Sequence, residues 1–156
     1  MSTTVATSAP GTRERSLRRL TALQIGLLAT QFLVGMVVNL FVTVPSQHPG
    51  TNANDYFTGV ARGVLWALGN ATLMLRLHVV IGLVLAVVSL WMVWLAVRAR
   101  RRVWIVATLV GASGIFAAGF NGASFMNYTH NFSSLLMAIG FLICALGYGL
   151  GAYVAR

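Results

Sequence analysis

Acidic side chains are almost missing from this sequence: Glu14 and Asp55 are the only two in 156 residues. Lysine is absent altogether, so all eleven basic residues are arginines. Charged residues make up 8% of the chain, against about 25% in an ordinary soluble domain. So few charges cannot clothe a surface that faces water. No long apolar run contains an Asp or Glu, which argues against proton-coupled transport through a carboxylate. The single cysteine, Cys144, excludes an internal disulfide and reads as a small packing residue. With three histidines and no third or fourth ligand visible near any of them, a zinc centre is not indicated.

Apolar residues are abundant instead, at 58% where about 45–50% is usual. They fall into four runs, each near the length of about 20 residues that crosses a bilayer. The runs cover about 20–44, 72–97, 103–121 and 132–155. The sequence therefore predicts an all-α fold, an integral membrane up-down four-helix bundle occupying residues 16–156. Residues 1–15 are expected to form a disordered cytoplasmic tail. The first run is too long for a signal-peptide core and lacks a small-x-small cleavage site, so it is expected to be a retained helix. Residues 45–71 read as a loop broken by Pro45, Pro49 and Gly50, with a short amphipathic turn around Tyr56–Leu68.

Arginine placement sets the expected orientation. Arg13, Arg15, Arg18, Arg19, Arg98, Arg100, Arg101, Arg102 and Arg156 share one side of this arrangement, and only Arg62 and Arg76 lie on the other. Both termini are then cytoplasmic in a multi-pass protein of the cell membrane. Arginines at the ends of apolar runs meet lipid headgroups, which makes the bilayer the partner and excludes nucleic acid despite a net charge of +9.

Small residues recur at spacings of four, three and four in two of the runs. Ala107, Gly111, Gly114 and Ala118 form one stripe; Gly140, Cys144, Gly147 and Gly151 form the other. Such stripes let helices approach closely in lipid. They could serve packing within the chain or dock another membrane protein. Gln24, Gln31, Gly35 and Asn39 share a face of the first helix and are expected to look into the bundle.

The candidate chemistry lies in two histidines. His78 sits six residues into the second run, roughly 9 Å below its outer end, with Gly82 one turn further on and Arg76 on the opposite face. His130 sits at the outer start of the last run, after the polar and aromatic segment Asn121–Thr129. His48 lies in the Pro-rich loop and is expected to be exposed. Two histidines at matched depth on different helices suit axial ligation of a heme iron. The expected metal ligands are thus His78 and His130, with Met74 and Met126 in reserve. Arg76 is the expected partner of a heme propionate. Asn39, Asn121, Ser124, Asn127 and Tyr128 are expected to supply hydrogen bonds around the group.

The pattern resembles one four-helix half of the heme A synthase family. The likeness rests on His78 and His130 at the starts of the second and fourth helices, on Gln31-Phe32-Leu33-Val34-Gly35 in the first, and on Gly119-Phe120-Asn121-Gly122 in the third. The resemblance implies a heme-binding scaffold with heme b as cofactor. The family's glutamate, a few residues before the second-helix histidine, is replaced here by Met74, Leu75 and Arg76, and the outer-loop cysteine pair is missing. The resemblance therefore implies electron transfer or heme handling rather than heme A synthesis. A non-catalytic accessory subunit and a small-molecule channel are the other two readings.

The orientation has a direct check. A phosphatase domain active only outside the cytoplasm should be inactive when fused after Arg156 and active when inserted in the 45–71 loop; the reverse pattern would invert the topology.

Overall fold

The computed structural model describes residues 11–51 and 53–154. Among these the chain is all α-helical, with five helices and no strand: α1 Thr12–Phe41, α2 Tyr56–Asn70, α3 Leu73–Ala99, α4 Arg102–Tyr128 and α5 Asn131–Val154. All but α2 are long and apolar enough to cross a membrane.

The helix limits differ from the sequence expectation in ways that have causes. Helix α1 begins at Thr12, inside the expected tail, with Glu14 in the first turn where a carboxylate complements the helix dipole. It stops at Phe41 because Val42 turns extended on the approach to Pro45. The amphipathic turn is a full helix, α2. Asp55 caps it by accepting from the Thr58 N–H at 2.9 Å. Hydrogen bonds from Thr58, its side chain first and then its backbone, hold the Asp55 carboxyl below its usual range. Helix α4 runs seven residues past the expected end at 121. The Asn121–Tyr128 segment looks like a loop by composition, yet Ala123, Met126 and Asn127 are buried. Tertiary contacts override the weak local preference. Residues 1–10, 155 and 156, which include parts of the expected tail and last span, lie outside the described residues.

Helices α1, α3, α4 and α5 form a closed square, each touching two neighbours, with α1/α4 and α3/α5 as diagonals. Arg13 meets Arg98, Gln24 meets Leu85 and Gln31 meets His78, so α1 and α3 run in antiparallel register. One end of the square carries Arg13, Arg98, Arg100 and Arg101. The other carries all three histidines. Helix α2 lies at the histidine end against α3 and α4.

The tightest seam joins α4 to α5. A Cβ built on Gly114 would stand 2.6 Å from both the Cys144 nitrogen and the Gly140 oxygen; one on Gly140 would stand 2.7 Å from the Ala118 nitrogen; one on Gly147 would stand 2.8 Å from the Gly111 nitrogen. The Tyr148 ring lies over Gly111 in the same way, and Ala107 fills the space above Gly151. The two small-residue stripes thus pack on each other. They are not free to dock a second protein, which corrects that expectation. Outside the seam, large apolar side chains point away from the bundle, among them Leu33, Phe41, Val87, Phe132 and Leu150. Asn39, expected inside, is also exposed.

Replacing Gly114 with leucine should cost on the order of 1–3 kcal/mol in unfolding free energy, because neither backbone wall can give. Gly149, which faces open space, should tolerate alanine with no loss, or with a gain of up to about 1 kcal/mol. Denaturation of the detergent-solubilised variants, followed by circular dichroism, separates the two.

Candidate functional site

His78 stands in the second turn of α3 and leans on α1. Its Nε2 lies 3.3 Å from the Gln31 amide nitrogen. Its ring covers Gly35, where a Cβ would come within 2.8 Å of Cε1 and 3.3 Å of Nδ1. The Gln31 amide in turn occupies the space above Gly82, 3.3 Å from where a Cβ would be. The arrangement is reciprocal. Each helix contributes one planar polar side chain and, four residues along, one glycine that receives the partner's side chain. A side chain at Gly35 would displace the His78 ring, whereas one at Gly82 would only press on the end of Gln31.

Two atoms of this pair are buried without a hydrogen-bond partner: His78 Nδ1 and Gln31 Oε1. With the amide as it stands, Gln31 N–H donates to the Nε2 lone pair, and Nδ1 carries a proton with no acceptor. With the amide turned over, Nε2–H donates to Oε1, and Nδ1 is a bare lone pair. In both arrangements one ring nitrogen is unused inside the bundle, where such a group is costly.

The other expected site residues are spread out. His130 is exposed, in the two-residue junction between α4 and α5, and stacks on Tyr128 with centroids 6.4 Å apart. No hydrogen bond or ring contact joins it to His78; the two lie at one end of the square, His78 on α3 and His130 in the α4–α5 junction. Arg76 does not reach into the bundle. Its guanidinium donates to the Gly69 and Ala71 carbonyls at 3.1 and 3.3 Å, closing the C-terminal end of α2. Asn121 bonds back to the Ala117 carbonyl of its own helix at 2.8 Å. Ser124 meets the Tyr56 hydroxyl at 2.8 Å, and that hydroxyl donates to the Phe120 carbonyl at 3.1 Å. Met126 packs against Gly63 of α2, and Met74 is exposed. Among the described residues no three His, Cys, Asp or Glu side chains gather in a metal-binding group.

His48 is the residue that sequence reasoning misplaced. It is buried, at 8% exposure, and stacks on Trp66 with centroids 4.5 Å apart. Its Nε2 faces the Met126 carbonyl at 3.1 Å, and its Nδ1 faces the Pro49 carbonyl at 3.1 Å. Met126 belongs to the last turn of α4, whose carbonyls have no partner within the helix. Both neighbours are pure acceptors, so a neutral ring donates to one of them and an imidazolium to both. The adjoining Gly50 has φ +120°, and a Cβ there would meet the Gly59 oxygen at 2.6 Å. Asn127 completes this cap, buried against Gly50, Gly59 and Gly63 with neither amide atom partnered. The signal in the sequence was the run His48-Pro49-Gly50 itself, in which the glycine is required by a backbone only glycine adopts easily.

A second polar cluster lies toward the arginine end. Gln24 is fully buried and donates to the Leu85 carbonyl at 2.9 Å. Gln24 and Ser89 face the Tyr148 hydroxyl. Thr21 Oγ1, Gln24 Oε1, Trp104 Nε1 and Tyr148 OH have no partner. Leu28 and Leu85, both buried, separate this cluster from the His78–Gln31 pair.

The chain matches no protein-family model, no curated protein and no solved structure, so its function is read from its own residues.

Substituting His48 with alanine should unfasten α2 from the end of α4. The expected cost is about 1–3 kcal/mol for the unmatched carbonyls, with faster amide exchange along Tyr56–Asn70 than along α4 and α5. Unchanged protection of α2 would show that His48 does not hold it.

Proposed function

We propose that the chain is a small multi-pass membrane protein of b-type heme, serving electron transfer or heme handling from the outer side of the cell membrane. The bilayer placement rests on the exterior: four long helices expose many large apolar side chains all around the bundle, an arrangement that suits lipid and not water. The bundle then runs up and down across the membrane, with the arginine end in the cytoplasm and the histidine end outside.

The observation that carries the heme reading is the unpartnered ring nitrogen of His78, on a ring seated over Gly35 and steadied by Gln31. An ionisable side chain inside a span is a site by default, and an imidazole with one nitrogen steadied and the other unused is suited to an axial ligand. His78 is the anchoring ligand in this reading. His130, exposed in the α4–α5 junction and backed by Tyr128, is the second. Gln31 orients the His78 ring. Arg76, whose Nη2 already holds the end of α2, has its other guanidinium nitrogens left for a propionate. The heme, when bound, would supply one-electron redox chemistry.

Detergent-solubilised protein from heme-supplied cells should show a Soret band with the split visible bands of a low-spin heme. His78→Ala and His130→Ala should each abolish or convert that spectrum without lowering the amount of protein in the membrane. A colourless protein, or a spectrum indifferent to both substitutions, refutes the assignment.

A further inference from the structure

The arginine end holds a groove of about 570 Å³ lined by Arg13, Val97, Arg98 and Arg100. It lies where α1 begins and α3 ends. Arg13 Nη1 donates to the Arg98 carbonyl at 3.3 Å, which ties the two helices across it. No acidic side chain lines the groove. Glu14, the sole acidic side chain at this end, is turned to Arg101 at 3.5 Å. Three arginines therefore line this groove, where like charges repel one another, and Glu14 lines only the adjoining hollow that shares Arg13 and Arg98.

One helix face leads away from this groove along the outside of the bundle. Val87, Trp91, Trp94 and Arg98 are spaced four, three and four residues apart, so they form a single stripe down α3, and Val87, Trp91 and Trp94 are exposed. The Trp91 and Trp94 rings stack with centroids 4.6 Å apart. The Arg98 guanidinium sits 4.3 Å from the centre of the Trp94 ring, a cation–π contact that fixes a long side chain at the mouth of the groove.

We infer that this groove and stripe form a binding site for an anionic phospholipid, the phosphodiester held by Arg13, Arg98 and Arg100 and an acyl chain lying along Trp94, Trp91 and Val87. Guanidinium groups match phosphate oxygens in geometry as well as charge. The apolar stripe favours a lipid over a free phosphate, which would leave the indoles without a partner. The inference rests on the bilayer placement and is independent of heme.

Native mass spectrometry of the full detergent-extracted chain, with phosphatidylglycerol, phosphatidylcholine or inorganic phosphate added, tests it. Phosphatidylglycerol should be retained in preference to phosphatidylcholine. Retention should fall about fivefold for each groove arginine changed to glutamine, and should fall with Trp91→Ala and Trp94→Ala. Arg15→Gln, at the same end but outside the groove, should leave it unchanged. Equal retention of the two lipids, an equal effect of Arg15→Gln, or displacement of the lipid by inorganic phosphate at matched concentration would each overturn the site. A chain recovered from the soluble fraction would instead overturn the bilayer placement.

Discussion

The backbone contact between α4 and α5 is the constraint on which the rest of the bundle depends. Helices surrounded by lipid gain nothing from hiding apolar side chains from each other, since the lipid is as apolar as they are. What holds them is close packing and hydrogen bonding. Gly111, Gly114, Gly140 and Gly147 bring two backbones together over several turns, with Cys144 and Ala118 facing the glycines across the seam. The Tyr148 ring can then lie flat over Gly111 and aim its hydroxyl at Gln24 and Ser89. The seam therefore sets where this ring meets α1 and α3.

Helices α1 and α3 meet by a different device. They have no comparable glycine seam; they exchange polar groups. Gln24 reaches a backbone carbonyl of α3, and Gln31 and His78 each settle over a glycine of the other helix. Hydrogen bonds of this kind contribute about 1 kcal/mol between membrane helices. A bond of that strength specifies register more than it adds stability, and two of them seven residues apart set the rotation of α1 against α3. The same rotation turns Asn39 outward, although helical spacing placed it near the face of Gln31.

Much of this was legible in the sequence, for physical reasons that also explain what was not. Four apolar runs, their arginine-rich ends and the two small-residue stripes follow from composition and period, and each appears as a helix or a packed seam. The Gln31–Gly35 and His78–Gly82 spacings marked the two halves of the central pair, but only folding brings them face to face. The cap at the histidine end was not legible. Asn121–Tyr128 has loop-like residues and is helical because α2 covers it. His48 lies beside prolines, which signals exposure, yet it closes the end of a helix 78 residues away. Long-range contacts of single polar residues leave no periodic trace in a sequence.

The two polar clusters divide the bundle's interior into unlike halves. Near the arginine end, Gln24, Ser89 and Tyr148 sit deep among apolar neighbours, and no ionisable group accompanies them that titrates near neutral pH. Near the histidine end, His78 keeps an unused nitrogen within two helical turns of the surface. Leu28 and Leu85 lie between them on the same helix faces, and neither side chain can pass a proton or solvate an ion. A continuous polar route from one end to the other is thereby interrupted, which weighs against a conducting or transporting role. A ligand at His78 would exchange with the histidine end alone, under the cap that His48, α2 and Asn127 build there. On the proposed reading, the chemistry and its access would belong to one face of the membrane and the arginine groove to the opposite one.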